Sequence, residues 1–374
     1  MSNTFTSTSF ERDRESAELV ICLLARSFAL ATTRGSMERD TRINLVLGMP
    51  FSGRADGLFG LVSGLAFDQA RGQLLVADML NHSVQAFSSA DGSLIFRFGA
   101  RGEDHGSFDR PAGIAVDHER DRFVVLDRGN QRLELFSSDT HSHLLSIAVP
   151  MQCTSSSVLA IDHRLERIVV QCGTPRMLAL SSIDGSLLLE LGKSIEPPQS
   201  VALPYGLAID EHRGRIVAIE PNTHRVQVMS SIDGSLLFEF GDEGDEPGHF
   251  NKPRGLCVDG QGRIIVADTN NCRLQAFTPH GRFIDMFSCS ILKPTSIAFD
   301  EHRGLIAFSA GHQVFVIGAN QWLGDTFTWR PDRHRYAPDN IKQAVAAMTI
   351  IRSIPLVVTH QLPNEILFEI FAYL

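Results

Sequence analysis

The chain has 374 residues, 43% hydrophobic and 21% charged, with 34 basic and 43 acidic side chains and a formal net charge of −9. That length can hold one large or two ordinary domains around a sizeable core, and an acidic balance argues against a phosphate-binding surface, which needs clustered Lys and Arg. The six cysteines (Cys22, Cys153, Cys172, Cys257, Cys272, Cys289) form no C-x-x-C pair and no finger-like spacing with histidine, so neither a zinc module nor a disulfide framework is indicated, and a reducing, cytoplasmic setting is the simpler reading.

Residues 1–42 open with the mixed-sign run "ERDRE" and the apolar stretch "AELVICLLARSFALATT" (17–33), interrupted by Arg26. A signal peptide would start with a plain basic region, so this extension reads as an amphipathic helix or as disordered, with no membrane partner. It carries six acids and six bases, residues 319–374 carry five of each, and residues 43–318 carry 32 acids and 23 bases. The whole charge imbalance therefore sits on the middle of the chain.

That middle is repetitive. Six passages end in Asp, "SGLAFD", "AGIAVD", "SVLAID", "YGLAID", "RGLCVD" and "TSIAFD", with the acids at 68, 117, 162, 210, 259 and 300 and steps of 49, 45, 48, 49 and 41. A period in the forties accommodates four short strands and their turns. After each Asp comes a turn, then a second apolar run ("LLVAD", "FVVLD", "IVVQC", "IVAIE", "IIVAD", "LIAFS") and a third ("VQAF", "LELF", "MLAL", "VQVM", "LQAF", "VFVI").

The lines "SSADGSLIFRFG" (88–99), "SSIDGSLLLELG" (181–192) and "SSIDGSLLFEFG" (230–241), with a worn copy "SSDTHSHLLSIA" (137–148), join the third run to a fourth. Their Asp-Gly pairs are expected to supply the positive φ angles of a tight hairpin. Each repeat is then a four-stranded antiparallel meander, and its nearly continuous apolar first strands require burial against neighbouring sheets arranged radially.

The sixth repeat has no fourth strand after "VFVIG" (314–318), but "INLVLG" (43–48) followed by "MPFSGRADGLFG" copies "FRFGARGEDHGSF" (96–108). Residues 43–48 are predicted to complete the last blade, leaving no free sheet edge. The expected fold is all-β, a six-bladed β-propeller over 43–318 with helical extensions at both ends.

The pattern P-x-G-[IL]-A-x-D, V-A-D-x-x-N-x-R-[LV]-Q-x-F and F-G resembles the NHL repeat, most closely in "KPRGLCVDGQGRIIVADTNNCRLQAF" (252–277). The third blade departs from it, with Gln171 and Cys172 where the fifth has Ala267 and Asp268, and the sixth carries Ser309 in the Asp position. The resemblance implies a six-bladed propeller that holds a protein, or in some members single-stranded RNA.

Within the repeat, "DRGNQR" (127–132) and "DTNNCR" (268–273) place Arg five residues after Asp, and "EPNTHR" (220–225) substitutes Glu220. Such a pair across a turn makes a charge-assisted contact that holds the second and third strands. The loops beyond form one annular surface, and its candidate interaction residues are Arg132, Arg176, Arg225, Arg273, His82 and His224. Propeller lyases and lactonases need metal ligands converging on the axis. Here the 14 histidines are scattered, with "HSH" (141–143) in the outer hairpin of the second blade. No Ser-His-Asp, P-loop or paired-carboxylate pattern stands out, so no catalytic, cofactor or metal site is expected.

Residues 319–374 change to helical patterning, with Pro338 and Asp339 as start signals and Ile341, Val345 and Met348 on one stripe. "LPNEILFEIFAYL" (362–374) then aligns Leu362, Ile366, Ile370 and Leu374, with Pro363 suited to a first helical turn. These thirteen residues resemble the first helix of an F-box. The resemblance implies that Leu362, Pro363, Ile366, Ile370 and Leu374 face the adaptor of a cullin-type ubiquitin ligase; the other reading is a helix that caps the propeller.

Overall fold

The computed structural model describes residues 43–49, 53–149, 158–171, 177–191, 205–289 and 292–323, so the expectations on 1–42, Arg176 and the helices of 338–374 lie outside the described residues. Its strands form six four-stranded antiparallel sheets. Blade one comprises β2 (Val62–Asp68), β3 (Gln73–Asp78), β4 (Ser83–Ser88) and β5 (Leu94–Phe98), and blade two β6 (Pro111–Asp117), β7 (Arg122–Asp127), β8 (Arg132–Ser137) and β9 (His143–Ala148). Blade three runs from β10 (Val158–Asp162) through β11 (Arg167–Gln171) and β12 (Met177–Ser181) to β13 (Leu187–Leu191). Blade four has β14 (Gly206–Asp210), β15 (Arg215–Glu220), β16 (Arg225–Ser230) and β17 (Leu236–Phe240), and blade five β18 (Leu256–Val258), β19 (Ile264–Asp268), β20 (Arg273–Phe277) and β21 (Phe283–Ser288). Blade six takes β22 (Pro294–Asp300), β23 (Leu305–Ala310) and β24 (Gln313–Gly318) from one end of the repeat region and β1 (Ile43–Gly48) from the other.

The predicted latch is present. β1 pairs antiparallel with β24 from Ile43 opposite Ile317 to Gly48 opposite Gln313. The first strands of the blades touch in an unbroken cycle, β2 to β6, β6 to β10, β10 to β14, β14 to β18, β18 to β22 and β22 back to β2. They surround a common axis, and the fourth strands lie outermost.

Burial follows from this geometry. Strands β3, β7, β11, β15, β19 and β23 are buried along almost their whole length, whereas β17 alternates between half-buried and exposed and β5 is half-buried except for the exposed Ile95. The apolar side chains form six clusters, one in each cleft between adjacent blades. Between blades one and two lie Phe108, Phe123 and Phe136, with Phe98 edge-on at 5.0 Å from Phe136. Fully burying one such side chain contributes roughly 1.5–3 kcal/mol, so each blade depends on its neighbours for stability.

Two turn features explain the motif letters. In the three Asp-Gly hairpins to the fourth strand, only the glycines, Gly92, Gly185 and Gly234, take positive φ (74–75°). The Asp-Gly pairs therefore do not supply two left-handed residues as expected. Each Asp instead accepts from the backbone amide and hydroxyl of the next Ser, as Asp91 does from Ser93 at 3.0 and 2.8 Å, and the loop spans four residues, closed by Ser88 N to Ser93 O at 2.8 Å. The Gly of "FG" answers a close approach. At Gly241 (φ +89°) a Cβ would stand 2.3 Å from the Phe250 ring, which tucks beneath the strand end.

At the end where first strands turn into second strands, the six repeated acids are all buried, with 0–5% exposure. Each has an arginine beside it: Arg71, Arg122, Arg167, Arg213, Arg263 and Arg303 lie within 3.4 Å of Asp68, Asp117, Asp162, Asp210, Asp259 and Asp300. Several of these arginines also reach the next blade. Arg122 donates to Ser182 O, Arg167 to Ser231 O, and Arg303 to Gln69 O at 3.1 Å. The chain leaves blade six in a short helix, α1 (Ala319–Leu323), whose Trp322 is buried with its ring 5.9 Å from that of Phe287.

Candidate functional site

The opposite end of the propeller carries the turns between second and third strands together with the exit loops from one blade to the next. Blade five shows how the repeat builds it. Asp268, fully buried, accepts from Asn251 N at 2.7 Å and, through its other oxygen, from Asn271 Nδ2 and Arg273 Nε at 2.8 Å each. Arg273 then donates to the carbonyls of Asp245, Glu246 and His249 at 2.6–2.9 Å, and Asn271 to Gly244 O at 2.8 Å. One acid thus orients two donors, and those donors fasten the exit loop.

Blade two repeats the arrangement. Asp127 accepts from Asp109 N, Asn130 Nδ2 and Arg132 Nε at 2.8, 2.7 and 3.1 Å, and Arg132 reaches Asp104 O and Ser107 O at 3.0 and 3.1 Å. Burial pushes the Asp127 carboxyl above its ordinary range, against the hydrogen bonds of Asn130, the Asp109 amide and Arg132. Blade one keeps Asp78 and Asn81 but has Ser83 in the Arg position; Asp78 accepts from Gly60 N and Leu61 N at 3.0 Å. Sequence reasoning gave the recurring Asn no role of its own, although its fixed place two residues before the Arg was the available signal.

The other candidate residues fall on the same end. Arg225 is 40% exposed and turns to Glu239 and, at 2.9 Å, Asp242, which hold it above the ordinary arginine range. His82 and His224 adopt left-handed backbone (φ 53° and 58°). Each sets its Nδ1 against the following exit loop: His82 is 3.2 Å from both Phe108 O and Arg110 N, and His224 is 3.1 Å from Phe250 O and 3.3 Å from Lys252 N. In one tautomer Nδ1 accepts from the amide, and in the other it donates to the carbonyl. Arg132, Arg225, Arg273, His82 and His224 are thus brought to one end, and each has partners within the protein.

With these cations engaged, the exit loops present acids. Asp56, Glu103, Asp104, Asp242, Glu243, Asp245 and Glu246 are exposed, against exposed Arg54, Arg101, Arg110 and Arg254 in the same described loops. Asp56 ion-pairs with Arg97 at 3.2 Å, and Arg110 with Asp109 at 3.4 Å. The end has loop backbones held by hydrogen bonds from Asn271 and Arg273 and carries acids at its rim.

Among the described residues no helix is long and apolar enough to cross a membrane. A comparison with curated proteins returns no match. The NHL repeat profile matches residues 108–136 and 250–277, which are the exit-loop phenylalanine through third strand of blades two and five, the two blades with the complete Asp-Asn-Arg set. The chain is a six-bladed β-propeller that carries NHL repeats.

Proposed function

We propose that this chain is a non-catalytic interaction propeller that holds a protein target on its acidic exit-loop end and serves ubiquitin-dependent turnover as a recognition or scaffolding subunit. The observation that carries the binding part is the rim of exposed carboxylates on loops whose backbones are fastened by Asp268, Asn271 and Arg273. A preorganised acidic rim favours a basic segment of a protein, since complementary charge raises encounter rates and excludes like-charged ligands. The turnover part rests on the resemblance of residues 362–374 to an F-box helix.

RNA recognition is the second reading, and the internal pairing of Arg132, Arg225 and Arg273 weighs against it. A propeller lyase or lactonase, which would need metal ligands converging on the axis, comes third.

The test uses the full chain and a variant carrying Asp242→Asn, Glu243→Gln, Asp245→Asn and Glu246→Gln. Proteins captured by the wild type should be lost from the variant, whose melting temperature stays unchanged because these groups are exposed. Equal capture by both, with salt-sensitive binding of single-stranded RNA, would replace this reading by the RNA one. For the turnover part, the full chain should bind a cullin adaptor and lose it on Ile366→Asp. Absence of binding removes that part alone.

A further inference from the structure

A propeller supplies its own controls, because every blade repeats the same positions. In the third strands, the residue opposite Val76, Val170, Ala218 and Val266 is Gln85, Leu178, Gln227 and Gln275. Blade two has Glu134 there, opposite Val125. On the fourth strands Leu94, Leu187, Leu236 and Phe283 share one register position, which blade two fills with His143. In the exit loops, the residue before Gly57 and Gly248 is Asp56 and Pro247, and before Gly106 it is His105.

These three departures, distant in sequence, converge in space. The glutamines of blades one and five bridge their exit loops, Gln275 accepting from Gly248 N at 2.9 Å and donating to His249 O at 2.7 Å. A carboxylate cannot donate, and Glu134 gathers a different set. It is fully buried, with Oε2 at 2.6 Å from His143 Nε2 and accepting from Ser146 Oγ at 2.8 Å. Its Oε1 is buried without a well-aligned hydrogen bond, although Arg132 Nε stands 2.8 Å away. His105 Nδ1 is 3.8 Å from that Oε1, and the rings of His105 and His143 stack at 4.2 Å.

We infer that His105, Glu134 and His143 form a site for a divalent transition cation, zinc by its donor set, which clamps the exit loop of blade one onto the outer strand of blade two. One donor atom from each residue lies within 4.8 Å of the others. A tetrahedral ion with bonds of about 2.0–2.2 Å needs its ligands roughly 3.3–3.5 Å apart, so shifts of about an ångström suffice. Two imidazoles with one carboxylate favour zinc and its neighbours over calcium or magnesium, which prefer all-oxygen sets.

The charge balance permits a dication. Arg132 is shared between Asp127 and Glu134, so two carboxylates face one guanidinium beside the two imidazoles. Ser146 Oγ, 3.0 Å from His143 Nε2 and 3.1 Å from His105 Nδ1, occupies the centre of the set and must rotate aside or act as a ligand. His105 is 64% exposed, so the site is reachable from solvent. His143 lies on the outer strand, away from the axis, while His105 sits in the exit loop beside the rim acids Glu103 and Asp104.

The test is isothermal titration of untagged, chelator-treated full chain with zinc chloride, repeated with cobalt(II) to read the visible bands of a tetrahedral site. The wild type should take up one equivalent. Glu134→Gln and His143→Leu install residues that other blades carry, so they fold, and each should weaken binding on the order of 100-fold. His105→Ala, at an exposed loop position, should do the same, and His249→Ala in blade five should change nothing. Circular dichroism separates folding from binding. No stoichiometric uptake by the wild type, or wild-type affinity in the three site variants, overturns the assignment.

Discussion

At the turn end of the propeller an acid closes the first strand of every blade and an arginine stands within 3.4 Å of it. At the loop end only blades two and five, among the described residues, complete the Asp-Asn-Arg set. Blade one has Ser83 in place of the arginine, blade four sends Arg225 outward, and blade six has a buried Ser309 that bonds Ser296 N and Thr295 Oγ at 3.0 and 2.9 Å. At the turn end four of the arginines, Arg71, Arg122, Arg167 and Arg303, span the clefts, so that their pairs serve the ring as well as their own sheets. The loop end varies because only one exit loop depends on each set there, and a blade can change its loop without opening the ring.

Three experiments bear on this contrast. The largest effect should come from deleting residues 43–48, which leaves β24 as a bare edge and removes Leu47 from the cleft between blades six and one. We expect the melting temperature, followed by circular dichroism, to fall on the order of 10 °C or more, with partial recovery when a peptide of that sequence is added. A deletion that melts like the wild type would mean that closure contributes little.

The next effect separates an acid with an arginine from one without. Asp268→Ala strands Arg273 in a buried site and should cost about 3–5 kcal/mol in denaturant unfolding. Asp78→Ala removes only the bonds to Gly60 N, Leu61 N and Asn81, and about 1–3 kcal/mol is expected. Equal losses would show that the arginine adds nothing to the set.

The smallest effect concerns a clasp at the turn end, where His163 Nδ1 meets Glu211 of the next blade at 2.6 Å. Burial alone would depress the imidazole, but the bond and charge of Glu211, with Asp117 and Glu119, raise it above its ordinary 6.5. Glu211, which burial would raise, is instead held below 4.5 by the bonds to His163. The histidine's contribution is complete below pH 6.5 and is lost as pH rises through the raised value. The glutamate's is complete above pH 4.5 and is lost as pH falls through the lowered one. The clasp therefore stabilises most between pH 4.5 and 6.5. His163→Gln should lower stability by under about 1 kcal/mol in that window, given the exposure of Glu211, and by less at alkaline pH. A loss that does not change with pH would exclude the clasp.

Much of the architecture was readable because each first strand ends in the same letter, so Asp68 through Asp300 gave the count of blades directly, and "INLVLG" read as a fourth strand displaced to the front. The roles of those acids were not readable. Their arginines follow at offsets of three, five, five, three, four and three residues, so no constant spacing marks them, and the second partner of Arg122 lies 60 residues away at Ser182. The cluster of His105, Glu134 and His143 was hidden for the same reason. Each departure is a single letter in a different strand or loop, and only the strand register brings them together. "HSH" read only as part of the outer hairpin, yet His143 is 24% exposed against a fully buried acid.

The latch also has a temporal side. During synthesis β1 emerges 265 residues before the first residue of β24, as the separation of Gly48 and its partner Gln313 shows. At translation rates of about 5–20 residues per second, that strand waits roughly 13–53 s for its partner. Until then residues 43–48 lack the strand they pair with, so the sixth blade is the last that the emerging chain can complete.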